Sequence, residues 1–120
     1  MKHSLLLRPV ALALAAHAVV SCTLTHHDGL RKAQELWKDH ESVVAQAVRG
    51  EEHDTDQFVK AVDFFREVAG IKIRVEIYTF GYMPTAETAQ DLELVRAWFD
   101  ANGDRLYYDQ ATRTVRVLRR

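Results

Sequence analysis

The side chains with the widest chemical reach in this 120-residue chain are its six histidines and seventeen carboxylates, and their spacing decides how much of that reach is usable. His26, His27 and Asp28 are adjacent, and His53 is followed closely by Asp54 and Asp56. Imidazole and carboxylate together suit zinc or copper, so each group is a candidate metal site. Each offers only two or three ligands, too few for a closed structural site but enough for a weak exposed one. If the two helices that follow these groups pack antiparallel, the groups stand at opposite ends of the pair, about 30 Å apart for a helix of some 20 residues, and cannot share one ion. The competing reading is that they are solvated linker residues and that Asp54 is a helix cap.

Other chemistry has less to work with. Glu51-Glu52 and the Asp54, Asp56 pair could do acid/base work only in a pocket that excludes water, and they fall in the most polar linker of the chain. Ser42 is the only serine after residue 21, and its neighbours His40 and Glu41 do not face it on a helix. No glycine-rich phosphate loop, His-Glu-x-x-His helix or calcium loop occurs. No enzyme class is therefore expected, and no cofactor. The aromatic residues Tyr78, Phe80, Tyr82, Tyr107 and Tyr108 are candidates for partner binding. If Tyr78 and Phe80 share the face of Lys72 and Arg74, they make an aromatic and basic patch opposite the core, a kind of surface used in protein recognition. The alternative is that a helix or hairpin covers them.

The elements that must position these groups can be read from periodicity. Leu30, Ala33, Trp37, Val44, Ala47 and Val48 recur at helical spacing, with Asp28 as the expected cap and Gly50 as the stop. A second helix follows the Asp54-x-x-Gln57 cap, buries Phe58, Ala61, Val62, Phe65, Val68 and Ala69, and stops at Gly70. The period then changes to two, Ile71, Ile73, Val75 and Ile77 alternating with polar residues, which predicts a half-buried strand fading near Tyr78. Gly81, Met83 and Pro84 read as a loop. Thr85 caps a third helix to Ala101, whose broad apolar stripe of Leu92, Leu94, Val95, Trp98 and Phe99 predicts the centre of the core. Leu106 to Tyr108 and Thr114 to Leu118 read as a hairpin that should pair with the earlier strand or lie on the helices. The expected fold is α+β, three helices with a small antiparallel sheet, in the order helix, helix, strand, helix, hairpin. The stretch Trp98-Phe99, Asn102, Leu106, Tyr108-Asp109 resembles a recurring segment of uncharacterised bacterial exported proteins, which supports the hairpin and implies no chemistry.

The amino terminus has a different character. Met1, Lys2 and Arg8 open it with positive charge, Val10 to Val20 is an apolar run broken only by His17, and Val19-Val20-Ser21-Cys22 closes it. This run resembles the lipobox signals of bacterial lipoprotein precursors. The resemblance implies that residues 1–21 are a signal peptide and that Cys22 becomes the lipidated first residue, carrying diacylglycerol and an amide-linked palmitate. A run of about eleven residues is well short of the roughly 20 that cross a bilayer, so a spanning anchor is not expected. Thr23 is not the aspartate that retains such proteins in the inner membrane, which implies an outer-membrane location facing the periplasm in a Gram-negative cell. Residues 22–27 would then be a short tether holding a single domain, residues 28–120, against the bilayer.

That mature part carries 14 basic and 17 acidic side chains, which argues against a nucleic-acid partner. Its last sixteen residues hold five arginines against Asp109, a cationic end that could meet lipid phosphates or an acidic partner. Cys22 is the only cysteine, so a lipidated form has no thiol for a disulfide or for catalysis. The expectation is a non-catalytic interaction module of the cell envelope, bound to the bilayer through Cys22 and to an unidentified envelope protein; the alternative is a weak metal binder.

Overall fold

The structure, a computed structural model, describes residues 25–119. Helix α1 (His26–Val48) is capped three residues earlier than expected: Thr25 Oγ1 accepts the Asp28 N–H at 3.1 Å, and Asp28 lies in the first turn. It ends in a paired turn, Gly50 N–H donating to Ala47 O and Glu51 N–H to Gln46 O, with Gly50 at φ 73°. Helix α2 (Thr55–Ala69) starts from Asp54, whose Oδ1 accepts the N–H groups of Asp56 and Gln57, and stops at left-handed Gly70. The two helices pack antiparallel, Trp37 meeting Phe65 and His40 meeting Phe64.

The alternating stretch after Gly70 behaves in two ways. Ile73 is buried and Lys72 and Arg74 are exposed, as a strand would have them, yet residues 71–74 pair with no strand. The N–H of Arg74 goes to Asp91 Oδ2 and its C=O accepts the Thr88 hydroxyl, so two side chains of the following helix take the place of a strand neighbour. Pairing begins only at β1 (Val75–Tyr78), which turns back through Thr79-Phe80 into β2 (Gly81–Pro84) with register Val75↔Pro84 to Tyr78↔Gly81. The loop expected at Gly81, Met83 and Pro84 is therefore the returning strand. Pro84 is tolerated there because both strands of a two-stranded sheet are edges.

Helix α3 (Ala86–Asn102) starts at Thr85, whose N–H donates to Thr88 Oγ1 at 2.8 Å. Its fully buried positions are Thr88, Asp91, Leu92 and Val95, a narrow stripe, while Leu94 is exposed. The centre of the core is α1 instead: Trp37 is fully buried and stacks on Trp98 at 4.8 Å, with Phe65 edge-on at 4.7 Å and Phe64 and Phe99 further out. A 3₁₀ turn (Gly103–Arg105) leads into β3 (Leu106–Asp109) and β4 (Thr114–Val117), the expected C-terminal hairpin. The α+β class and the three helices are as predicted, but the strands form two separate hairpins rather than one sheet. Helix α1 occupies the outer side of β3, where a Cβ added to Gly29 would sit 3.8 Å from Tyr108 N and O.

Candidate functional site

The site begins at a turn. Thr79-Phe80 closes the β1–β2 hairpin onto Gly81, whose φ of 141° disfavours any residue with a side chain. A Cβ at Gly81 would also run into Thr55 Cγ2. The glycine thus lets the returning strand press against the first turn of α2, and the tip projects beyond that contact.

Four large apolar side chains crowd this tip: Ile77 is 76% exposed, Phe80 73%, Tyr78 46% and Met83 39%. The rings of Tyr78 and Phe80 stack at 5.6 Å with 9° between their planes. The Tyr78 hydroxyl donates to Glu76 Oε2 at 2.6 Å, a bond that raises its pKa above the ordinary phenol value. On the opposite face of the hairpin, Ile77 borders a concavity of about 350 Å³ whose rim carries Arg66 and Lys72. Such an arrangement can do little covalent chemistry. It offers flat aromatic area held by a short hairpin, beside a basic rim on one face and Glu76 on the other.

The five aromatic residues singled out from the sequence do not form one surface. Tyr78 and Phe80 are together and exposed; Tyr82 is half-buried and packs on the core. Tyr107 lies on the other hairpin, in a groove beside α2, and Tyr108 packs on the core beneath the Lys32 amine, 4.1 Å from its ring centre. The division follows from the two hairpins remaining apart. Lys72 and Arg74 do not join Tyr78 and Phe80 in one patch, because the Arg74 guanidinium turns to Asp91.

The histidine clusters stay local. His26 and His27 are exposed on the first turn of α1, and Asp28 lies 3.8 Å from Arg31. His53 Nδ1 lies 2.9 Å from Glu51 O and its ring meets Phe58 edge-on, while Asp54 and Asp56 belong to the start of α2. Among the described residues no three histidine, cysteine or carboxylate side chains are grouped so as to hold a metal ion. Cys22 lies outside the described residues. None of the helices among them is long and apolar enough to cross a membrane.

The sequence reading missed the strongest polar feature. Arg74 Nε and Nη2 donate to the two carboxylate oxygens of Asp91 at 3.0 and 2.9 Å, and the Arg74 backbone N–H adds a third bond at 2.8 Å. These bonds hold the Asp91 carboxyl below its usual range, so it is a fixed anion rather than a proton donor. Its signal was present, since an aspartate falls on the core-facing stripe with Thr88, Leu92 and Val95. With the geometry in view, comparison with known proteins returns no match to a family model, a curated protein or a solved structure.

Proposed function

We propose that this chain is a lipid-anchored, non-catalytic interaction module of the bacterial cell envelope that engages another envelope protein through the tip of the β1–β2 hairpin. The observation that carries the reading is the concentration of Ile77, Tyr78, Phe80 and Met83 over the two faces of that tip, all exposed although the fold buries or half-buries most of its other large apolar groups. Contiguous exposed apolar surface is costly to keep in water and marks interaction sites. The lipobox-like end at Cys22 supports the anchor. Helix α1 begins four residues later, a reach of about 14 Å at full extension, so the anchored domain would sit close to the bilayer.

The reading is tested in two parts. Metabolic labelling with a palmitate analogue should mark the wild-type chain and not Cys22→Ala; equal labelling removes the anchor from the reading. Crosslinking in intact cells from a photoreactive group at Met83 should capture one abundant envelope protein, and Phe80→Ser with Ile77→Thr should abolish the capture. Because those side chains are exposed, the double variant should keep its stability within about 0.5 kcal/mol of wild type. Unchanged capture by a folded double variant would exclude the tip.

A further inference from the structure

The second hairpin ends in an open edge. Leu118 N–H donates to Arg105 O at 2.7 Å, which makes residues 105 and 118 a hydrogen-bonded pair. Antiparallel alternation then makes Leu106↔Val117 and Tyr108↔Val115 the non-hydrogen-bonded pairs of the ladder. The backbone N–H and C=O groups of Val115 and Val117 therefore point away from β3. The same alternation points those of Tyr108 toward Gly29, so α1 closes the outer edge of β3. Along β4, by contrast, runs a groove of about 890 Å³, with Phe64 and Val68 of α2 on its far side. An uncovered row of donors and acceptors beside such a groove is a template for one more strand.

Charge indicates which strand. The groove is lined by Arg113, Arg116 and Arg119 on the hairpin side and by Lys60, Asp63 and Glu67 on the helix side. Arg116 is paired with Asp109 at 3.0 Å and Asp63 with Arg66 at 3.1 Å. Lys60, Arg113 and Arg119 have no ion-pair partner among the described residues, against Glu67 alone, on a chain whose net charge is −1. A second copy of β4 would set one arginine row against another, so self-pairing is disfavoured. Arg113 and Arg119 are six residues apart, about 20 Å along an extended chain, and bracket the open edge. We propose that this edge receives, as an added strand, an extended segment of another protein that is acidic at both ends and apolar between. The docking uses a different surface from the tip and stands or falls separately from it.

The test uses the full chain and a fluorescein-labelled peptide, Asp-Glu-Val-Thr-Val-Glu-Asp. Anisotropy should show saturable binding that weakens with salt, at least tenfold weaker for Arg113→Gln with Arg119→Gln and for the peptide with amides replacing its carboxylates. N-methylation of the two peptide valines, which removes backbone donors, should also cost tenfold or more, while Phe80→Ser should change nothing. In wild type, saturating peptide should slow amide exchange at Val115 and Val117 at least tenfold. The proposal is overturned by absent binding at roughly 1 mM peptide, by full affinity of the N-methylated peptide, or by protection that maps elsewhere. Protection of Val115 that grows with protein concentration without peptide would assign the edge to a second copy, and overturns it too.

Discussion

Asp91 shows how one side chain can fasten two elements. Its carboxylate is nearly inaccessible and accepts three bonds from Arg74, whose guanidinium is about half exposed. Asp91→Asn keeps the shape but faces amide hydrogens toward donors, and hydrogen bonds to a charged group contribute about 1.5–3 kcal/mol. We expect a loss of about 2 kcal/mol in denaturant unfolding, with Arg74→Ala non-additive with it. His40 bears on pH. Its ring stacks on Phe64 at 4.3 Å, and burial pushes its pKa below the ordinary imidazole value, against a smaller upward pull from Asp39. The unfolded chain then binds the proton more readily than the folded one, so stability is present above about pH 6.5 and falls as pH drops through the window below it. His40→Leu should flatten the change in melting temperature between pH 7.5 and 5; an unchanged slope would refute the assignment. Asp91's place on the stripe with Thr88 and Leu92 was readable from spacing alone, but its partner was not. Arg74 lies seventeen residues away and sat in an alternation that already explained it as the solvent side of a strand.

At the level of elements, the helices were legible because their period, caps and glycine stops agree. Asp54 and Gly70 do what their positions predict, and Thr25 rather than Asp28 caps α1 only because two oxygen-bearing residues compete within one turn. The β1–β2 hairpin was not legible, since Thr79-Phe80 is not among the glycine- or asparagine-containing pairs that announce a tight turn. What specifies it is Gly81, and the information lies in tertiary space, in the contact with Thr55. Gly81→Ala should therefore act as a change in the whole element. The unfavourable φ and the overlap with Thr55 together should cost about 2 kcal/mol, read as a fall in melting temperature of roughly 8–16 °C for a domain this size. A fall below about 2 °C would mean that the hairpin leaves α2 at little cost and that the tip is not held as described. The candidate surface was half legible for the same reason: Tyr78 and Phe80 are neighbours within one hairpin, whereas whether Tyr107 and Tyr108 join them depends on how the two hairpins are placed, which periodicity does not fix.

Across the whole molecule, the first described helix and the last hairpin depend on each other. Helix α1 lies along β3, Gln34 Nε2 donates to Gly103 O across 69 residues at 3.0 Å, and Leu106 is fully buried in the same cluster as Ala33 and Trp37. A chain ending at Asp104 should accordingly keep helical circular dichroism but lose its sharp melting transition and bind a hydrophobic dye; cooperative melting by that fragment would show that the helices suffice. The close approach of Tyr108 to Gly29 has a consequence in time as well as in space. Contacts so distant in sequence must close a long loop before they form, so they form late and slow folding. Until the hairpin reaches it, helix α1 has part of its apolar face uncovered, so the core is completed in one late step rather than built up from neighbouring segments.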